Sequence, residues 1–135
     1  MKKYIIILIS FFTITFFTNC GKNRDEKIVG KWELAWMVAN ENPTLKVVWE
    51  ITADSKIIQT TTNVNDGNSV VKNGTYKFER QAGVEYIRVY DIFDITTFNG
   101  KYRILRLTKE ILSIEEREDN EGEYEFNHME FIRLD

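Results

Sequence analysis

From Ile28 onward, apolar residues recur at every second position, and turn-forming residues recur every 8 to 15 positions. No stretch of ten or more residues carries a helical stripe of apolar positions. An alternation with a period of two is typical of strands that bury one face. Pro43 is the only proline, so almost nothing prevents continuous strand pairing. The pattern therefore predicts an all-β, antiparallel, up-and-down domain.

Eight strands are predicted from this alternation. In the first, Trp32, Leu34, Trp36 and Val38 share the core face, and in the second Leu45, Val47, Trp49 and Ile51 do so. The others run from Lys56 to Asn63, Ser69 to Arg80, Val84 to Phe98, Lys101 to Thr108, Ile111 to Glu118 and Glu123 to Leu134. Eight such strands in sequence order close into a small barrel, which removes exposed sheet edges.

Several short polar segments predict where the chain turns. Asn65-Asp66-Gly67-Asn68 is expected at a hairpin tip, and Asn99-Gly100 is the strongest hairpin dipeptide in the chain. Asn73-Gly74 would be either a second turn or a bulge, and we prefer the bulge. The run from Val84 to Phe98 is too long for an ordinary strand, so we expect a bend between Asp91 and Asp94.

The N-terminus carries a different signal. Lys2 and Lys3 precede an apolar run from Tyr4 to Phe17, whose 14 residues are too few to cross a bilayer. This run predicts a signal-peptide helix rather than an anchor. The segment Phe17-Thr18-Asn19-Cys20-Gly21 resembles a bacterial lipoprotein processing site, at which the chain is cleaved before an acylated cysteine.

The match has departures, because lipoproteins usually carry Leu where Phe17 stands and a small residue where Asn19 stands. The alternatives are an ordinary secreted protein, with Cys20 in the removed peptide, and an uncleaved membrane anchor. With Cys20 as the lipidation site, no acidic residue follows it directly. By resemblance, that favours the outer membrane of a Gram-negative bacterium, where the protein would be lipid-anchored in the cell envelope.

The expected organisation is a signal peptide (1–19), the lipidated cysteine with a flexible tether (20–27) and a barrel domain (28–135). The mature chain has 16 basic and 21 acidic residues, a formal charge of −5. Nucleic acid is therefore an unfavourable partner, and so is an anionic lipid surface, which leaves the acyl chains as the expected membrane attachment. Because Cys20 is the only cysteine, no internal disulfide can form.

A family resemblance covers nearly the whole mature domain. Residues 28–34, IVGKWEL, look like the Gly-x-Trp opening of lipocalin and calycin barrels. Tyr102 to Thr108, Ile111 to Ile114 and Phe131 to Leu134 are similar to small bacterial lipocalin-like lipoproteins. In that family the first-strand tryptophan closes the barrel floor beneath an arginine, and the resemblance implies that Trp32 and Arg133 form this pair. The chain departs from larger lipocalins in lacking the disulfide and the long lid loop.

Candidate catalytic and metal-binding residues are few. His128 is the only histidine, and we interpret it as a surface or hydrogen-bonded barrel residue. Asp91 and Asp94 are expected to be solvated beside a bend. We interpret an acidic cluster as a solvated hairpin tip rather than a calcium site: Glu115, Glu116, Glu118, Asp119, Glu121, Glu123 and Glu125. No Ser-His-acid or Cys-His arrangement is identified, so we predict no enzyme activity, no cofactor and no metal.

The leading functional hypothesis is binding of a small hydrophobic or amphipathic ligand inside the barrel. Gln59, Thr61, Arg88 and Tyr90 would share a face with the core and could orient the ligand's polar group, or they could line the open rim. The alternative is a solid barrel that serves as a protein- or glycan-interaction module of the envelope. An eight-stranded barrel is compatible with both, since its interior can be filled or can hold one small ligand.

Overall fold

The computed structural model of the chain describes residues 26–37, 44–92, 99–118 and 127–134. Eight antiparallel strands pair in sequence order, and the first also pairs with the last, so the sheet closes into a barrel. The strands are β1 (Gly30–Met37), β2 (Leu45–Ile51), β3 (Lys56–Asn63), β4 (Ser69–Gln81), β5 (Val84–Tyr90), β6 (Gly100–Leu107), β7 (Ile111–Glu118) and β8 (His128–Leu134). The prediction of a closed, all-β, eight-stranded antiparallel barrel is confirmed. Among the described residues, no helix is long and apolar enough to span a bilayer.

The core lies inside the barrel and is built from alternate residues of the strands. In β2, Val47, Trp49 and Ile51 are buried, whereas Val48 and Glu50 between them are only half-buried and Lys46 before them is exposed. The buried apolar residues are Ile28, Trp32, Val47, Trp49, Ile51, Ile57, Tyr76, Ile87, Val89, Ile92, Tyr102, Leu112, Ile114, Met129 and Phe131. Every strand contributes at least one of them, so the barrel has a single continuous core.

The bounds of several strands match the predicted ones. β3 and β7 begin and end at the predicted residues, and the hairpin tip at residues 65–68 lies between β3 and β4. There the amide of Gly67, whose φ is 73°, donates to the carbonyl of Asn63 at 2.8 Å. In β1 a register shift against β8 between Leu34 and Trp36 interrupts the alternation predicted as far as Val38.

The end of β5 differs from the prediction. The strand ends at Tyr90 instead of running on to Phe98, because Asp91 adopts a positive φ of 65° and turns the chain at the expected bend. Asn99-Gly100 is not a hairpin tip. Gly100 already pairs with Val89, and the Asn99 side chain accepts a hydrogen bond from the Ile92 amide at 2.8 Å. Residues 93–98 lie outside the described part of the chain.

Asn73-Gly74 is neither a turn nor a bulge, so the preferred prediction is wrong. β4 pairs in unbroken register with β3 through Ser69–Thr75 and with β5 through Thr75–Gln81. A Cβ atom at Gly74 would overlap the Tyr90 carbonyl oxygen and lie 2.6 Å from Ile92 Cγ1. The glycine therefore serves a close approach of the backbone after β5, which is a common role of glycine within strands.

Candidate functional site

Trp32 and Arg133 are in contact at the end of the barrel where β1 begins and β8 ends. The Trp32 indole donates a hydrogen bond to the Ile28 carbonyl at 2.7 Å and is fully buried. The Arg133 guanidinium carbon lies 5.2 Å from the Trp32 ring centroid, inside the range of about 6 Å for a cation–π contact. The resemblance to lipocalins implied this contact between β1 and β8.

The Arg133 guanidinium also joins two separate backbone segments, residues 27–29 and the turn between β6 and β7. It donates to the carbonyl oxygens of Lys27 at 3.1 Å, Val29 at 2.5 Å and Lys109 at 3.4 Å. A Cβ atom at Gly30 would lie 2.7 Å from Arg133 Nη2. A Cβ atom there would displace the guanidinium from its place beside the indole, and the φ of Gly30, 149°, is one that other residues rarely adopt.

Deeper inside the barrel, aromatic rings and polar groups share the interior. The Trp49 ring packs against Phe131 with centroids 4.7 Å apart and meets Tyr102 edge-on at 6.2 Å. The Trp49 indole nitrogen donates to Gln59 Oε1 at 3.1 Å, and Gln59 Nε2 donates to Thr61 Oγ1 at 3.4 Å. Gln59 is fully buried, whereas Thr61 is half-buried on the same face of β3. We call Trp49, Gln59, Thr61, Tyr102 and Glu116 the lumen cluster.

Glu116 and Tyr102 form the acidic side of the lumen cluster. Glu116 is buried, with 7% of its surface exposed, and its carboxylate accepts a hydrogen bond from Asn127 Nδ2 at 3.1 Å. Burial of the phenol, followed by the charge of Glu116 and the hydrogen bond with it, raises the pKa of Tyr102 well above its ordinary value. The phenol therefore stays protonated and donates to the carboxylate.

The structure separates the four residues that were predicted to orient a ligand. Gln59 and Thr61 lie together in the interior. Arg88 and Tyr90 lie on the outer face, because Ile87 and Val89 take the inward positions of β5. Arg88 pairs there with Glu79 at 3.2 Å, and Tyr90 is 39% exposed. The expectation of a shared core face is wrong for Arg88 and Tyr90.

Glu116 was not predicted as an interior residue, because its neighbours in the sequence place it in the acidic cluster that was expected to be solvated. Its position could have been found from the period of β7, in which Leu112, Ile114 and Glu116 fall on one face. Glu115, on the opposite face, forms an ion pair with Arg117 at 2.5 Å. Residues 119–126 lie outside the described part of the chain, as do Asp94 and Cys20.

His128 lies on the outside of the barrel, paired with Ser113 across β7 and β8. The Ser113 hydroxyl is 2.7 Å from His128 Nε2, and Ser113 is 5% exposed. The contact agrees with the interpretation of His128 as a hydrogen-bonded barrel residue. The contact satisfies a largely buried hydroxyl. Asp91 is exposed and accepts a hydrogen bond from Thr75 at 3.2 Å.

No protein-family model, curated protein or solved structure is significantly similar to the chain. The resemblance to lipocalin-like lipoproteins thus remains a prediction.

The lumen cluster has the composition of a binding site for a small molecule. It combines aromatic surface with a few converging donors and acceptors, which is the usual pattern of ligand pockets. The residues that the structure describes include no group of three or more His, Cys, Asp or Glu side chains placed to hold a metal ion.

Proposed function

We propose that the chain is a lipid-anchored protein of the cell envelope whose lipocalin-like barrel binds a small hydrophobic or amphipathic molecule. The signal-like run before Cys20 supports the anchor. The contact of Trp32 with Arg133 at one end of the barrel, with polar groups deeper in its interior, supports the binding role.

The burial and hydrogen bonding of the Gln59 side chain are the main support for this proposal. This amide is fully buried beside aromatic rings, yet within the described part of the chain its Nε2 makes a single long hydrogen bond, at 3.4 Å, to Thr61. A buried amide group is costly when its hydrogen bonds are poorly made. A ligand oxygen that replaced or joined Thr61 as acceptor would remove this cost, so Gln59 is the group best prepared to receive one.

The lumen cluster also defines the chemistry of the ligand. Trp49 and Phe131 offer an apolar wall, and Glu116 would repel an anion placed close to it. We therefore expect an apolar body with a neutral hydrogen-bond acceptor, such as a carbonyl or an ether oxygen, directed at Gln59.

Native mass spectrometry of the protein purified from its own host tests this function. We expect a discrete mass increment in the wild type, its loss in Gln59→Leu, and its retention in the control Thr60→Val. Thr60 is the next residue of β3 and lies on the opposite face. A wild-type protein that retains no ligand, and takes none up from the lipid extract of its host, would contradict ligand binding.

A second candidate function is suggested by exposed apolar residues at the hairpin between β3 and β4. Val64, Val70 and Val71 are each more than half exposed. Exposed apolar side chains at a hairpin suit a protein partner. A photo-crosslinker at position 71 that captures one envelope protein in intact cells, while the barrel retains no ligand, would favour this alternative.

A further inference from the structure

A cavity lies outside the lumen cluster, at the end of the barrel where the N-terminal segment enters. Its volume is about 330 Å³. It is lined by Lys27, by Arg80 and Glu85 at the base of the β4–β5 hairpin, and by residues 104–107 of β6. All of these residues belong to the described part of the chain, and the lumen cluster includes none of them.

The charge of this cavity is opposite to that of the protein. Lys27, Arg80 and Arg106 face a single carboxylate, Glu85, which leaves a formal charge of +2 in a mature chain of −5. The three cationic side chains form no ion pair or hydrogen bond with the described residues, and all three residues are exposed. Converging cations without partners attract an anion.

The same cavity offers apolar surface beside the charges. Ile104, Leu105 and Leu107 line it, and Leu105 is 45% exposed. Cations next to exposed aliphatic side chains match a ligand that carries a phosphate and an acyl chain. A free inorganic anion would make no use of the apolar part.

The position of the cavity points to the source of such a ligand. Lys27 is seven residues from Cys20 in the sequence. Even in a fully extended chain, the two residues are therefore at most about 25 Å apart. If Cys20 carries the anchor, this end of the barrel is held close to the headgroups of the membrane. This step rests on the proposed function, which includes the anchor.

We propose that the cavity binds the anionic headgroup of a phospholipid in the membrane that carries the protein. The site would supplement the acyl anchor, although the net charge of the chain predicts no attraction to anionic headgroups. It would also orient the barrel, with the Trp32 end towards the bilayer.

Binding of short-chain, water-soluble phospholipids to the full chain in nonionic detergent tests the proposal. Dihexanoylphosphatidylglycerol is the anionic probe, dihexanoylphosphatidylcholine the zwitterionic one, and calorimetry the readout. We expect the anionic probe to bind at least about tenfold more tightly, with an affinity that falls as salt is raised. The variant Arg80→Gln/Arg106→Gln should lose at least about tenfold in affinity for it, since each cation near a headgroup contributes about fivefold.

The matched control is Lys72→Gln/Lys77→Gln, which removes two charges from β4 away from the cavity and should bind the anionic probe as the wild type does. Equal binding of the two lipids, or an unchanged affinity in Arg80→Gln/Arg106→Gln, would overturn the proposal. So would inorganic phosphate binding as tightly as the anionic lipid, because the site would then be one for the free ion.

These outcomes are separable from those that test the proposed function. The probes are added in solution, so their binding does not depend on acylation of Cys20. Acylation is measured separately, from the mass of the mature N-terminal peptide. Gln59→Leu should empty the lumen and leave binding of the anionic lipid unchanged. If Gln59→Leu lost both the retained ligand and the binding of the anionic lipid, the proposal that the two sites are independent would be contradicted.

Discussion

At the scale of single residues, the turn between β4 and β5 contains a strained alanine. Ala82 has a φ of 49° and Gly83 a φ of 80°, so both residues of this two-residue turn are left-handed. Turns of this kind favour Asn-Gly, and a residue with a Cβ atom costs about 1 kcal/mol or more in this conformation. Ala82→Asn should raise the free energy of unfolding by about 0.5 to 1 kcal/mol, measured by urea denaturation. Ala82→Val should lower it, and equal stability of the two variants would contradict the strain.

Tyr102 should make the stability of the barrel sensitive to alkaline pH. The pKa of this buried phenol is raised in the folded state, so its stabilising contribution is complete below the ordinary tyrosine pKa of about 10 and is lost as pH rises above it. Urea denaturation between pH 8 and 11 should show a free energy of unfolding that falls above about pH 10, by at most about 1.4 kcal/mol per pH unit for this one group.

Tyr102→Phe isolates this effect from the other tyrosines. It should reduce the alkaline slope, while Tyr90→Phe, at an exposed position of β5, should leave it unchanged. Equal slopes in the two variants would show that Tyr102 ionises as readily in the folded as in the unfolded state.

At the scale of elements, Gly74 lets β4 and the segment after β5 approach closely. Because an added Cβ atom would meet a backbone oxygen as well as Ile92, the clash cannot be relieved by a side-chain rotation. Gly74→Ala should therefore destabilise the protein by about 1 to 3 kcal/mol, the usual cost of overpacking. Asn73→Ala, at the exposed neighbouring position, should cost less, and thermal unfolding of the two variants compares them. A melting temperature of Gly74→Ala equal to that of the wild type would contradict the close approach.

A comparison of the strands with the sequence shows which patterns were sufficient to predict them. The alternation predicted β3 and β7 to the residue, because each buries alternate positions of one face and is followed by polar residues in the sequence. The hairpin prediction at Asn99-Gly100 was wrong because it considered only the local turn propensity of this dipeptide. In the fold, the Asn99 side chain accepts a hydrogen bond from the Ile92 amide, seven residues away. Arg88 was placed on the wrong face of β5. Ile87 is buried, and counting every second residue from it gives the inward positions, which exclude Arg88.

At the scale of the whole molecule, the interior could be anticipated in its apolar part but not in its polar part. Burial of Gln59 and Glu116 depends on partners from elsewhere in the barrel, Trp49 for the amide and Tyr102 and Asn127 for the carboxylate. A single strand's pattern does not reveal such partners. Barrel closure brings β2, β3, β6 and β7 around one interior, and these groups become a cluster only there.

Closure also places the two ends of the domain in contact through Arg133, which links Lys27 and Val29 to the last strand and to the β6–β7 turn. Arg133→Met keeps an apolar stem but loses the charged hydrogen bonds and the cation–π contact, so it should cost about 2 to 4 kcal/mol in urea denaturation. The amides of residues 26–30 should also exchange hydrogen faster than those of β3. Arg103→Met is the control, since Arg103 is half-buried and its side chain forms no hydrogen bond or ion pair with the described residues. If both variants lost the same stability and residues 26–30 kept their protection, Arg133 would not be what holds the N-terminal segment to the barrel.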